Sequence, residues 1–126
     1  MWKPKYREDY WFINSIYNVC KHYWTDDNAD MMLLSVGNVF KTKKEAEFEA
    51  ERLRVYRELR QFALKSGRYE GNFSIVYDYV TKEIEYWENE TAFQRFGDLI
   101  FKTEEGARRA VETVGVDKVL KYYLEV

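Results

Sequence analysis

"VGNVFKTKKEAEFEAERL", residues Val36–Leu53, sets the pattern of the chain, and it returns in similar form as "FGDLIFKTEEGARRAVETV", residues Phe96–Val114. Both stretches contain a glycine followed by Asn or Asp, an apolar run ending in Phe-Lys-Thr, and then acidic residues with alanines at helical spacing. Thr followed by acidic residues is a typical start of a helix. The repetition therefore predicts that each half of the chain turns from a strand into a helix at the same point.

The residues before each repeated stretch predict antiparallel strands. Residues 9–24 are rich in aromatic and β-branched side chains and are interrupted by Asn14-Ser15, which predicts a hairpin. A second hairpin is predicted around Thr81-Lys82. After the polar loop "TDDNAD", residues 25–30, we expect a third strand in "MMLLSVGNVF", residues 31–40, and its counterpart in "TAFQRFGDLIF", residues 91–101.

Helices are predicted after both threonines of the repeated stretch. Thr42, with Glu45 three residues later, forms a capping-box pattern, and its helix should run to about Lys65. The apolar positions of this helix cover more than one stripe, so it should be buried on more than one side. Thr103 should cap a shorter helix that stops at Gly115, and residues 116–126 predict one last short helix.

These elements predict an α+β protein. We expect a single domain over residues 1–126, built from two similar βββα halves, residues 1–66 and 67–126. Antiparallel sheets would pack on one long helix and on one or two short helices, because neither half has enough apolar surface to form a core alone.

Composition and charge narrow the class of protein. The chain has 126 residues, a net charge of -2 and a single cysteine, Cys20. A lone cysteine cannot form an internal disulfide, and there is neither a signal-peptide pattern nor an apolar stretch long enough to span a bilayer. We therefore expect a cytoplasmic protein without a membrane contact.

Catalytic and metal-binding patterns are weak. Cys20 and His22 fall on one face of a predicted strand, but no orienting acid accompanies them, so we interpret them as a packed Cys beside an exposed His. Asp26, Asn28 and Asp30 start like a calcium loop, yet Gly is missing at the sixth position and Glu at the twelfth. We predict no catalytic residues, no metal site, no cofactor and no enzymatic activity.

Binding residues are the better candidates. Aromatic residues make up 18% of the chain, and such side chains dominate the energetics of protein interfaces. A basic patch on the long helix could instead contact phosphates. The predicted partner-binding residues are Trp11, Tyr23, Trp24, Tyr86, Trp87, Arg54, Arg57 and Arg60.

Three segments also resemble a known group of proteins. They are "WKPKYREDYWFIN" (residues 2–14), "GNVFKTKKEAEFEAERLRVYREL" (residues 37–59) and "FQRFGDLIFKTEEGARRAVETVGVDKVLKYYLEV" (residues 93–126). They are similar to an uncharacterised family of small phage and prophage proteins of Gram-positive bacteria, with a Trp-x-Pro opening and a Gly-Asn-x-Phe-x-Thr-x-x-Glu-Ala-Glu motif. Arg7 stands where that family usually has Gly. The residues that match the pattern are Trp2, Pro4, Gly37, Asn38, Phe40, Thr42, Gly97 and Phe101.

The resemblance implies a phage accessory protein in an infected or lysogenic bacterial host. Together with the aromatic content, it leads to the hypothesis that the protein inhibits or sequesters a host protein, such as a component of a bacterial defence system. The alternative is a nucleic-acid-binding accessory protein that uses the basic end of the long helix, and a small hydrolase or metal-dependent enzyme ranks third. We also expect a homodimer, because of the broad apolar surface of the long helix.

Overall fold

A computed structural model describes residues 2–63, 72–88 and 99–126, and the α+β class predicted from the sequence is confirmed. The contacts divide the chain into two compact units, Met1–Arg54 (unit 1) and Val55–Val126 (unit 2). This division falls within a helix, whereas the predicted half-repeats divide between residues 66 and 67. The elements in chain order are β1 (Asp9–Ile13), β2 (Val19–Tyr23), α1 (Asn28–Ser35), α2 (Lys43–Arg60), β3 (Phe73–Asp78), β4 (Glu83–Glu88), α3 (Glu104–Val114), α4 (Val116–Lys118) and a π-helical turn, α5 (Val119–Tyr123).

Unit 1 begins with the predicted hairpin. β1 and β2 pair antiparallel, with Tyr10 opposite His22. The turn forms because the Asn14 carboxamide oxygen accepts the main-chain N–H groups of Ile16 (3.1 Å) and Asn18 (2.9 Å). A short Asn side chain that bonds its own turn in this way is a common turn former, so the hairpin predicted at Asn14-Ser15 is confirmed.

The free edge of β1 is paired by the Gly-Asn-x-Phe segment. The main-chain N–H groups of Trp11 and Phe40 each donate to the other residue's carbonyl, at 2.9 and 2.8 Å. Two residues earlier, the Asn38 carboxamide donates to the Ile13 carbonyl (2.7 Å) and accepts the Ile13 N–H (2.8 Å), as a neighbouring strand would. Gly37 has a φ of 73°, a conformation in which Gly is not strained, and it ends the preceding helix.

The third strand predicted over residues 31–40 was wrong for most of its length, because Asn28–Ser35 form helix α1. Asp27 is the N-cap of α1, and its carboxylate accepts the Asp30 N–H at 2.8 Å. The predicted polar loop therefore ends in the first turn of a helix. A short apolar run does not by itself distinguish a strand from a buried helix, and here the buried contact of Asp30 with Tyr10 stabilises the helix that Asp27 caps.

Two helices cover the two faces of the β1–β2 hairpin. On one face, Tyr10 donates its hydroxyl to Asp30 of α1. On the other face, the Lys43 ammonium at the start of α2 lies 5.7 Å from the centre of the Trp11 ring. Rings therefore occur on both sides of β1 because each side has its own helix.

Helix α2 starts where the capping pattern predicted. The Thr42 hydroxyl accepts the Glu45 N–H at 3.2 Å, and the regular helix ends at Arg60, followed by turns to Ala63. The predicted end at Lys65 lies outside the described residues. The expectation that α2 is buried on more than one side is confirmed, since α2 has buried side chains of its own in the part that belongs to each unit. These are Ala46, Ala50, Val55 and Leu59.

Near the N-terminus, Arg7 adopts a φ of 67°, the left-handed conformation that Gly accepts more readily than other residues. Its N–H donates to the Trp24 carbonyl at 2.7 Å, and its guanidinium lies over the Tyr6 ring. The position at which the resembled family usually has Gly is therefore one whose geometry favours Gly.

Unit 2 repeats the hairpin and the strand-to-helix corner. β3 and β4 pair antiparallel around the predicted turn, and Phe101 exchanges main-chain hydrogen bonds with Phe73 at 3.0 and 2.9 Å. Thr103 caps α3 by accepting the Gly106 N–H at 2.9 Å, and α3 ends at Gly115. Residues 91–98 of the predicted third strand lie outside the described residues.

The core of unit 2 lies between this hairpin and helices α2, α3 and α5. Alternation along the paired strands places Phe73, Ile75 and Tyr77 on the inner face, toward the core. The main-chain N–H of Leu99 donates to the Tyr123 hydroxyl of α5 at 3.2 Å. The fully or nearly buried members of the core are Val55, Leu59, Ala63, Ile75, Leu99, Phe101, Ala107, Ala110, Val111, Val114 and Val119.

The pairing role of Asn38 is testable by substitution. Asn38→Ala should lower the free energy of unfolding by about 1–3 kcal/mol, because it leaves the half-buried N–H and carbonyl of Ile13 without their partners. Urea denaturation followed by circular dichroism measures this change. Asn18→Ala, in the exposed turn of the same hairpin, is the matched control and should change the stability by less than about 0.5 kcal/mol. Equal effects of the two substitutions would contradict the pairing role.

Candidate partner-binding surfaces

A buried carboxylate joins β1 to α1 in unit 1. Asp30 is fully buried and accepts the Tyr10 hydroxyl (2.5 Å), the Thr25 N–H (2.8 Å) and the Thr25 hydroxyl (3.2 Å). Burial alone raises the pKa of Asp30, but the hydrogen bonds from Tyr10 and Thr25 outweigh burial and lower that pKa below its ordinary value. Burial and the bond to Asp30 raise the pKa of the Tyr10 hydroxyl. The carboxylate is therefore held ionised.

His22, Asp27 and Asp30 are the described residues that could supply a group of metal ligands, since their donor atoms lie within 4.8 Å of one another. Both Asp30 oxygens already accept hydrogen bonds, and one Asp27 oxygen caps α1. The positive end of the helix dipole at this point also opposes a cation. These contacts identify the Asp27 and Asp30 carboxylates as part of a helix cap. That the protein has no metal site stays a prediction.

Cys20 and His22 occupy alternate positions of β2 and have separate contacts. The half-buried Cys20 sulfur lies 3.9 Å from the Asn18 carbonyl. The exposed His22 ring stacks on Tyr23, with ring centres 5.0 Å apart, and meets the Tyr10 ring edge-on at 6.0 Å. This geometry agrees with the interpretation of a packed Cys beside an exposed His.

The three aromatic residues predicted as contacts in unit 1 differ in exposure. Trp24 is 1% exposed, and its indole N–H donates to Asp26 at 2.6 Å, so it belongs to the core and its ring is unavailable to a partner. Trp11 is half-buried, with the ammonium groups of Lys21 and Lys43 each 5.7 Å from its ring centre. Tyr23 is 52% exposed. Tyr23 alone of the three presents most of its ring to solvent.

The predicted arginines also separate into two kinds. Arg54 is bound within unit 1, because its guanidinium donates to the Tyr17 carbonyl at 2.6 Å and to Glu51 at 3.2 Å. This bond fixes the hairpin turn to α2, which makes Arg54 a structural residue. Arg57 and Arg60 are exposed, and no carboxylate in residues 2–63, 72–88 or 99–126 forms an ion pair with them.

Tyr86 and Trp87 are neighbours on β4 and therefore lie on opposite faces of the hairpin. Tyr86 faces the core and is half-buried, with the Arg108 guanidinium 4.5 Å from its ring centre, and burial raises the pKa of its hydroxyl. Trp87 faces outward and is 56% exposed, while its indole N–H donates to Glu85 at 2.9 Å.

The exposed tip of this hairpin was not predicted from the sequence. Tyr79 is 75% exposed and Val80 is 92% exposed. The turn that presents them is held by Asp78, whose carboxylate accepts the N–H groups of Val80 (2.8 Å) and Thr81 (3.2 Å), and these bonds lower the pKa of Asp78. An Asp before a turn is a recognisable signal, but the direction in which the turn residues point is not readable from the sequence.

Comparisons with protein-family models, curated proteins and solved structures found no significant match to the chain. The resemblance to the phage protein family therefore stays a prediction. Among the described helices, none is both long and apolar enough to cross a membrane.

The buried carboxylate predicts a pH-dependent contribution to stability. Asp30→Asn should lower the free energy of unfolding by about 2–3 kcal/mol near neutral pH, because charge-assisted hydrogen bonds from Tyr10 and Thr25 are lost. Since the pKa of Asp30 is lower in the folded protein than in the unfolded chain, its contribution is full above the unfolded value and disappears as the pH falls through the folded value.

The measurement is urea denaturation of the wild type and of Asp30→Asn from about pH 7 down to about pH 2, where the difference between them should shrink. Asp117→Asn, at an exposed aspartate of α4, is the control and should leave the stability nearly unchanged. A difference between wild type and Asp30→Asn that stays constant over this pH range would show that ionisation of Asp30 does not contribute.

Proposed function

We propose that the protein is a phage or prophage accessory protein that acts by binding, without catalysis, and that it inhibits or sequesters a host protein such as a component of a bacterial defence system. The resemblance of residues 2–14, 37–59 and 93–126 supports the phage context. The surface of the β3–β4 hairpin in unit 2 supports binding.

The observation that carries the proposal is the exposure of Trp87. A Trp with 56% of its surface in solvent offers a large apolar contact area, and Trp is among the residues most often found at the centre of protein interfaces. Its hydrogen bond to Glu85 restrains the indole before any partner arrives. A side chain that is already restrained loses less entropy on binding.

The tip of the same hairpin adds two more exposed apolar side chains, Tyr79 and Val80. The Tyr79 ring meets the Tyr77 ring edge-on, with centres 5.0 Å apart, and the Asp78 carboxylate holds the turn. Single exposed apolar residues are common on protein surfaces, but here the tip carries two, and Trp87, opposite Ser74, lies toward the other end of the same hairpin. Exposed apolar side chains at both ends of one hairpin favour a partner-binding surface.

Trp87→Ala should abolish or strongly weaken capture of the protein's partner from nuclease-treated bacterial lysate, measured by quantitative mass spectrometry. The loss should be at least about tenfold, as for the central aromatic residue of an interface. Ile16→Ala is the matched control, because Ile16 is 68% exposed at the turn of the unit 1 hairpin. Equal capture by the wild type and Trp87→Ala would show that this hairpin is not the binding surface.

The second candidate function is nucleic-acid binding, and it is favoured by the exposed guanidinium groups of Arg57 and Arg60. Both are exposed in the last turns of α2, where they could contact phosphates. The net charge of -2 weakens this alternative, because the chain has no overall positive charge to attract a polyanion.

A salt titration separates the two functions. If nucleic acid is the ligand, affinity for DNA or RNA should fall as salt increases, and the double substitution Arg57→Gln with Arg60→Gln should reduce the slope of the salt dependence by about two. Lys118→Gln, at an exposed lysine of α4, serves as the control for lost charge. If the wild type has no salt-dependent affinity for either polymer, the nucleic-acid alternative is excluded.

A further inference from the structure

The outer edge of β4 has main-chain groups that β3 does not use. Phe73 exchanges its main-chain hydrogen bonds with Phe101, so its N–H and carbonyl point away from β4. In an antiparallel ladder the residue opposite, Glu88, must then also point its N–H and carbonyl away from β3. The same alternation applies to Tyr86 and Ile84. No strand in residues 2–63, 72–88 or 99–126 pairs with this edge.

A groove runs beside this edge on the inner face of the hairpin. Its volume is about 340 Å³, and it lies between β4 and the helices that pack on the hairpin. Apolar side chains from both sides form much of its wall, and among them Val116 is 48% exposed. The apolar residues of the wall are Ile84, Tyr86, Val111, Val116 and Leu120, and the charged ones are Lys82, Glu83, Arg108 and Glu112.

The outer face of the same hairpin is acidic. Alternation places six residues of β3 and β4 on this face, and none of the six carries a positive charge. They are Ser74, Val76, Asp78, Glu83, Glu85 and Trp87. Carboxylates around an exposed indole attract a cation, because opposite charges complement each other and an indole face attracts ammonium and guanidinium groups.

We propose that β4 accepts an extended, basic segment of a partner protein as an added strand. Its main chain would bond to Ile84, Tyr86 and Glu88. Successive side chains of a strand point to opposite faces, so apolar residues would enter the groove and the alternating Lys or Arg residues would face the carboxylates and Trp87. This inference rests on the proposed function, since it gives the chemistry of the partner for the same hairpin.

Other occupants fit these observations less well. An acidic segment would bring like charges beside Asp78, Glu83 and Glu85. An apolar helix could cover Trp87 but would leave the edge groups of β4 without hydrogen-bond partners, because a helix uses its own main-chain groups internally. An alternating basic and apolar strand satisfies the edge, the groove and the charge together.

The probe is the fluorescent peptide Lys-Val-Lys-Val-Lys-Val-Lys, and its binding to the full chain is measured by fluorescence anisotropy. Two further versions carry N-methyl groups, one on the valine amides and one on the lysine amides. In an added strand, the amides of either the valines or the lysines face β4, and the amides of the other residue type face solvent. Methylation of the set that faces β4 should abolish binding, and methylation of the other set should be tolerated. Equal binding of all three versions would overturn strand addition.

Charge is tested with the peptide Glu-Val-Glu-Val-Glu-Val-Glu, which should bind at least about tenfold more weakly than the lysine peptide at low salt. Equal affinity for both peptides would overturn the basic character of the partner. Complete failure of the lysine peptide to bind would overturn the inference as a whole.

The protein variant is Glu88→Pro, with Glu88→Ala as its matched control. Proline removes one outward N–H at an exposed strand end and is tolerated on an edge strand, while both variants lose the same charge. Glu88→Pro should weaken peptide binding by about fivefold to tenfold relative to Glu88→Ala. Equal affinities would contradict pairing at this edge, and circular dichroism verifies that both variants are folded.

The two proposals fail in distinguishable ways. If Trp87→Ala prevents capture of the partner but no lysine peptide binds, the hairpin is a binding surface for another kind of partner and strand addition is overturned. If the lysine peptide binds with the expected dependence on methylation but Trp87→Ala captures the partner normally, strand addition stands and the proposed function of this hairpin is wrong.

Discussion

The exchange of main-chain hydrogen bonds between Phe40 and Trp11 is the constraint on which unit 1 depends. It brings the chain back to the free edge of the hairpin, and α2 starts three residues later, capped by Thr42. The helix is thereby directed along the face that carries Trp11. In unit 2 the pairing of Phe101 with Phe73 has the same consequence for α3. The twin Phe-Lys-Thr segments are therefore architectural: each joins an edge pairing to a helix cap.

The opposite face of the first hairpin depends on a buried charge. α1 is a short helix, and short helices are stable mainly through tertiary contacts. Asp30 supplies such a contact, since it is fully buried and bonded to Tyr10 and Thr25. A buried carboxylate that lost these donors would be strongly destabilising. Tyr10, on this face of β1, is thus joined to α1 by a fully buried, ionised carboxylate.

The binding residues were predictable in type but not in exposure. An aromatic-rich chain predicted ring-based contacts, yet Trp24 is in the core while Trp87 is exposed. Arg54 and Arg57 look alike in the sequence, but only the tertiary contact of Arg54 with the Tyr17 carbonyl commits its guanidinium to the fold. Exposure depends on which elements cover a face, and that requires the positions of residues distant in sequence.

The local features were predictable from the sequence: both hairpins, the two threonine caps and the glycine that ends α3. These features follow from turn chemistry and from the satisfaction of terminal N–H groups, which involve residues close together in the chain. Two features depend on tertiary contacts: residues 28–35 form a helix, and β4 has an unused edge among the described residues. An apolar run fits either a strand or a helix, and the choice depends on what packs against it.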